Sequence, residues 1–282
     1  MVRLSTRIVV SGVFLCALAH AAPESVQIDR AFQNLYNFDF PAAHSVLNGY
    51  IAAHPQEPLP YAVRASAYLF FELDRLGILE SEFLIDDKKI SKKEKALQPD
   101  PGIRGQFMRA LDDTESRAEA VLRTDPNDRS ALLAMCIAQG VTTDYMAFIE
   151  KRQFRSLSPA EQSNIYAQRL LRLDPEFYDA YLTAGLSEYL VGSLPFFVRW
   201  FVHFDNVNGS KTKGVQNLEK VAHFGHYLKP FGKILLGIIA LREKKYRDAQ
   251  KLLAELAQDY PENPLFRKEL GKLNAKIADS GN

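Results

Sequence analysis

Apolar residues return at helical spacing along most of the chain. Between Ala160 and Leu173 they fall at Ile165, Ala167, Leu170, Leu171 and Leu173, and near the C-terminus the same period sets Leu252, Leu253 and Leu256 on one face. Alternating apolar and polar runs bounded by Asn-Gly or Gly-rich turns are nearly absent. The pattern predicts an all-α chain.

A turn marker recurs between the helical runs: His54-Pro55-Gln56-Glu57-Pro58, Asp125-Pro126-Asn127-Asp128, Asp174-Pro175-Glu176-Phe177 and Tyr260-Pro261-Glu262-Asn263-Pro264. Proline cannot continue a helix, so each marker stops one element. Pro58 and Pro264 suit the first turn of the next.

The segment from Leu236 to Pro261 carries Leu236-Gly237, then Tyr246 and Ala249, then Leu253 and Leu256, closed by Pro261. This order resembles the tetratricopeptide (TPR) repeat family, whose 34-residue unit places a Leu-Gly pair and aromatics on its first helix and Ala, a large apolar residue and Pro on its second. Partial copies follow the same plan. Phe40, Ala43, Leu47 and Pro55 match a second helix, and Tyr61, Ala65 and Tyr68 the first helix after it. Tyr181 and Gly185 repeat the spacing after Pro175, Cys136 takes the small position after Pro126, and Gly271 takes it after Pro261. A small residue there is expected to allow two helices to approach closely. The marker prolines stand unevenly, at 55, 126, 175 and 261. Insertions or degenerate units must therefore lie between them.

The resemblance implies a right-handed α-solenoid of about six or seven helical hairpins, some degenerate, in one domain over residues 22–282. It also implies a non-enzymatic scaffold that holds a peptide or protein segment in a concave groove lined by first-helix residues. In this chain those positions are Arg64, Tyr68, Gln139, Glu188 and Asn274.

The N-terminus reads as a secretory signal peptide over residues 1–21. Arg3 and Arg7 precede an apolar run from Ile8 to Leu18, and Ala19-His20-Ala21 supplies the small residues for cleavage. The run is shorter than the roughly 20 apolar residues of a spanning helix, and Leu15 before Cys16 does not suit lipidation. Cleavage leaves Cys136 as the sole cysteine, so no internal disulfide is expected. No later segment reads as a membrane span, so the mature protein is expected to be soluble or peripheral, in the periplasm of a Gram-negative bacterium.

Charge changes this picture little. With 35 Lys+Arg against 34 Asp+Glu the chain offers no long-range field for nucleic acid, and no nucleic-acid partner is expected. Five lysines and three acids between Asp86 and Lys95 read as a solvated helix end. An insertion is expected at about residues 190–215. Within it, Ser193–Phe204 concentrates four of the 18 phenylalanines and the only tryptophan. One reading buries these aromatics between repeats. The other makes Phe196, Phe197, Trp200 and Phe201 a contact for a partner or a membrane interface, and the protein a peripheral envelope component held through residues 194–204.

Catalytic signatures are sparse. Asp205–Gly214 lacks the Lys and Ser/Thr of a phosphate loop, and Asn208-Gly209-Ser210 is only a formal glycan acceptor. His203, His223 and His226 lack an accompanying metal motif and read as structural or surface residues. Cys136 reads as packing. An unrecognised enzyme using dispersed carboxylates such as Glu188, Glu255 and Glu269 stays as a minor alternative. No cofactor or metal is expected.

Overall fold

The computed structural model describes residues 23–80, 98–194 and 207–280. The signal-peptide segment, the charged run 86–95 and the aromatic residues Phe196, Phe197, Trp200 and Phe201 lie outside the described residues. Among those described, every regular element is helical and none is a strand. Five antiparallel pairs follow one another: α1 (Pro23–Tyr36) with α2 (Phe40–Ala53), α3 (Leu59–Arg75) with α4 (Pro101–Thr124), α5 (Arg129–Asp144) with α6 (Leu157–Leu173), α7 (Tyr181–Ser193) with α8 (Lys211–Phe224), and α9 (Lys229–Arg242) with α10 (Tyr246–Asp259). A final helix, α11 (Pro264–Ser280), packs on α10. Each second helix also packs on the first helix of the next pair. The expected six or seven units are thus five pairs and a last helix among the described residues.

The four proline markers fold alike. In each, the residue before proline leaves the helical conformation, as the ring of the next residue demands, and its carbonyl accepts from the amide three positions on. The pairs are Glu57 to His54 at 3.2 Å, Asp128 to Asp125 at 3.2 Å, Phe177 to Asp174 at 3.0 Å and Asn263 to Tyr260 at 3.1 Å. Tyr61 and Tyr181, each six residues past its proline, donate their hydroxyls to the carbonyls of Pro55 and Pro175 at 3.1 Å. A cation from a second helix covers each ring, Arg117 at 4.0 Å from the Tyr61 centroid and Lys220 at 4.1 Å from that of Tyr181. This recurrence links the sequence markers to one local geometry.

At the opposite edge, α1, α3 and α9 end with a residue in the left-handed region, Phe38, Gly77 and Lys244. The next amide then reaches back five residues: Asp39 to Asn34, Ile78 to Leu73 and Lys245 to Ala240. Long connections fall within pairs rather than between them, at residues 76–100, 145–156 and 194–210. Because helices alternate in direction, the fully described connection 145–156 lies at the edge away from the proline turns. Longer intervals within the middle pairs, and two pairs rather than one between Pro175 and Pro261, space the marker prolines unevenly.

Small residues act differently from the expectation at two positions. A Cβ at Gly237 or Gly271 would meet nothing within 4 Å, so no close approach explains them. Gly185 does mark one. A Cβ there would sit 2.9 Å from the Gly214 carbonyl oxygen, and one at Gly214 would sit 2.7 Å from the Tyr189 nitrogen. Ala43, Ala65, Cys136 and Ala249 are buried, as is Tyr61; Tyr181 is half-buried, and Pro261 and Gly271 face solvent.

The segment Arg129–Ile149, α5 with the π-helical turn Tyr145–Ile149 that follows, is long and apolar enough to cross a membrane by length and composition, contrary to the expectation of none. Its apolar residues are accounted for by packing: Ala131 to Ala138 are all buried, with α3, α4 and α6 against the helix.

The first and last parts of the described fold meet. Tyr36 donates its hydroxyl to the Tyr227 carbonyl at 3.0 Å, and Asn263 donates to the Tyr36 carbonyl at 2.7 Å. Phe32 stacks on Tyr227 at 4.8 Å, and Phe70 of α3 meets Phe231 of α9 at 5.6 Å. At the other edge Glu80 accepts from Lys268 and Lys272 of α11.

Candidate functional site

A cleft of about 340 Å³ opens at the proline-turn edge. Leu59 at the start of α3 and Ser130 and Leu133 of α5 supply one side. The Asp174 turn supplies Glu176, Phe177, Tyr178 and Asp179, and the end of α8 with the following turn supplies Phe224, His226 and Tyr227. Leu59, Leu133 and Asp179 are buried and form its deep side. Phe224 is 63% exposed at the rim, 5.0 Å from the Tyr178 ring.

Asp179 fixes this arrangement. A 3₁₀ turn, Tyr178–Ala180, delivers its carboxylate under the α8–α9 connection, where it accepts from the amides of His226, Tyr227 and Leu228 at 2.9, 3.1 and 3.0 Å. Gly225 allows the approach, since a Cβ there would lie 2.9 Å from an Asp179 oxygen. Burial pushes the Asp179 carboxyl above its ordinary value, while the three amides and His226 pull the other way. His226 pairs with Asp29 of α1 at 2.8 Å and stacks on Tyr227 at 4.1 Å. Burial likewise lifts the Tyr227 hydroxyl to about 12.

The five residues assigned to a groove stand on four helices, and each contacts a neighbouring helix. Arg64 donates to Asn48 of α2 at 2.7 Å, Gln139 to Glu115 of α4 at 2.8 Å, and Asn274 accepts from Gln250 of α10 at 2.7 Å. Each of the three thus joins its helix to the second helix of the preceding pair. The Tyr68 ring meets His44 of α2 in a tilted contact at 4.3 Å. Glu188 is buried, takes the Lys213 ammonium at 2.7 Å and accepts from the Ser210 and Asn208 amides, so it is a tie between α7 and α8 and offers nothing to solvent. Burial raises its pKa, but Lys213 and the two amides outweigh that and hold it below the ordinary value.

The carboxylates kept as an enzymatic alternative are also separate. Glu255 pairs with Lys233 at 3.1 Å and Glu269 with Lys272 at 3.0 Å. Cys136 is buried with Sγ 3.4 Å from Thr183 Oγ1, and burial raises its thiol pKa. His223 is exposed beside Phe224, and His203 lies outside the described residues. Among the described residues no three His, Cys, Asp or Glu side chains are grouped for a metal.

Sequence reading missed the cleft because its parts come from four stretches far apart in the chain. The one available signal was the aromatic and acidic composition of Glu176-Phe177-Tyr178-Asp179 right after a marker proline. No protein-family model, curated protein or solved structure matches the chain.

Proposed function

We propose that the chain is a non-enzymatic binding scaffold of the cell envelope, a stack of tetratricopeptide-like hairpins that receives a segment of a partner polypeptide. The observation that carries the reading is the open aromatic cleft, built at the edge where the repeated proline turns gather and held by the buried Asp179. Four turns of one geometry and five pairs packed in order support the repeat reading. The contacts between α1–α3 and α9–α11 favour the turn edge over a groove along the first helices as the place of binding.

Site-specific photocrosslinking tests this. A benzophenone side chain replacing Tyr178, in protein produced in cells with its export segment, is expected to give a discrete protein adduct in the envelope fraction. The same group at the exposed Asp112 on α4 is expected to give none. Equal labelling at both positions, or none at either, removes the reading. The second reading, attachment through residues 194–204, rests on the Phe and Trp content of that segment. It requires Phe197→Asp with Trp200→Asp to release the folded protein from membranes.

A further inference from the structure

The cleft has a chemical bias that its shape alone does not express. Two carboxylates line it, Glu176 at the rim and Asp179 on the deep side, and none of its lining residues is Lys or Arg. His226 faces Asp29 of α1, which is not among the lining residues, at 2.8 Å. Phe177, Tyr178, Phe224 and Tyr227 present ring surface around the same space. Ring faces and carboxylates together favour a cation on an apolar stem. The N-termini of α3 and α5 also end here, each equivalent to about half a positive charge. Asp128 caps α5, accepting from Ala131 at 2.7 Å, and Asp179 takes up the amides at the start of α9, so Glu176 is the carboxylate left exposed at the cleft.

We infer that the cleft binds the side chain of an arginine or lysine displayed on a partner polypeptide, with the charged head near the exposed Glu176 and the stem between Tyr178, Phe224 and Tyr227. The volume of about 340 Å³ lies at the low end of small-molecule sites, about 300–1,000 Å³, and suits one long side chain. A free small cation would leave the exposed Phe224 ring uncovered at the rim; flanking backbone and side chains of a polypeptide cover it. This inference rests on the scaffold reading and supplies the chemistry of its partner.

The test is an amide NMR titration of the whole purified protein with four probes. They are a Gly/Ser/Ala heptapeptide with one central arginine, the same peptide with norleucine or glutamate at the centre, and agmatine as a free cation. The arginine peptide is expected to move the resonances of Glu176–Asp179 and Phe224–Tyr227 saturably, and the norleucine and glutamate peptides to leave them in place. Glu176→Gln and Phe224→Ala, both at exposed positions, are each expected to weaken the arginine peptide about two- to thirtyfold. Tighter binding of the glutamate peptide would mean that the helix N-termini dominate and overturns the inference, as does equal binding of norleucine. Agmatine as tight as the peptide overturns the polypeptide source. If no probe binds while the Tyr178 crosslink persists, the inference fails and the scaffold stands. If the arginine peptide binds but no crosslink forms, the reverse holds.

Discussion

Placing a methyl group at Gly214 should separate two helices that now touch through their backbones. The Cβ of Gly214→Ala would lie 2.7 Å from the Tyr189 nitrogen, 2.8 Å from the Gly185 oxygen and 2.8 Å from the Tyr189 Cβ, whereas ordinary contact begins at 3.4 Å. Two of these obstacles are main-chain atoms of α7, which cannot rotate aside, so α7 and α8 must move apart. That movement also lengthens the 2.7 Å tie between Lys213 and Glu188. Overpacking costs about 1–3 kcal/mol, here in the upper half at about 2–3 because two of the obstacles are main-chain atoms, and replacing glycine in a helix returns about 1 kcal/mol, for a net loss of about 1–2 kcal/mol. Gly237→Ala is the matched control. Its Cβ meets nothing within 4 Å, so only the helix-propensity gain of about 1 kcal/mol remains. At about 2–4 °C per kcal/mol for a chain of this size, the two variants should melt about 4–12 °C apart, on opposite sides of wild type. Urea and thermal unfolding followed by far-UV circular dichroism measure this. A shift of the same sign in both variants, or an unchanged Gly214→Ala, would refute the close-approach argument.

Further outcomes follow from buried ionisable groups. Burial raises the Asp144 carboxyl from 3.8 to about 7, so the folded chain keeps a proton that the unfolded chain has lost, and this group's contribution falls as pH rises from about 4 to 7. Burial, with Arg64 nearby, lowers His44 from 6.5 to about 4, so its contribution is lost as pH falls through that range. The slopes oppose each other: relative to wild type, Asp144→Asn should make the melting temperature rise more steeply from pH 4 to 6.5, and His44→Phe should make it fall more steeply, with identical profiles counting against both shifts. Asp179→Ala leaves three amides without their acceptor and should cost about 3–5 kcal/mol in urea unfolding, with Asp179→Asn recovering part; a loss below 1 kcal/mol would deny its role in the α8–α9 turn. Cys136 should resist a thiol reagent in the native protein and react fully in urea, and rapid native labelling would contradict its burial.

Much of the local structure was written in short-range signals. The helical period at Ala160–Leu173 became α6, and each proline marker became the same turn, since proline and the residue before it have few allowed conformations. Tyr61 and Tyr181, singled out by spacing from a proline, share one hydrogen bond to it. The left-handed ends at Phe38 and Lys244 were not legible, because neither residue type favours that conformation and the following loop imposes it. Gly237 and Gly185 looked equivalent in sequence, yet only Gly185 meets another backbone. A motif records a position on a helix and not what lies opposite.

The same distinction governs the candidate site. Arg64, Gln139 and Asn274 stand on first helices, as the resemblance implied, and each is hydrogen-bonded to the second helix of the preceding pair. Helix content, pair boundaries and the apolar faces were determined by the sequence itself, because periodicity and proline act over a few residues. Closure of the first pairs on the last, the burial of Glu188 and the meeting of Glu176–Asp179 with Phe224–Tyr227 were decided only by tertiary structure. They join residues tens to hundreds of positions apart, and such contacts depend on how each pair is set on its neighbour, a geometry that no local pattern encodes.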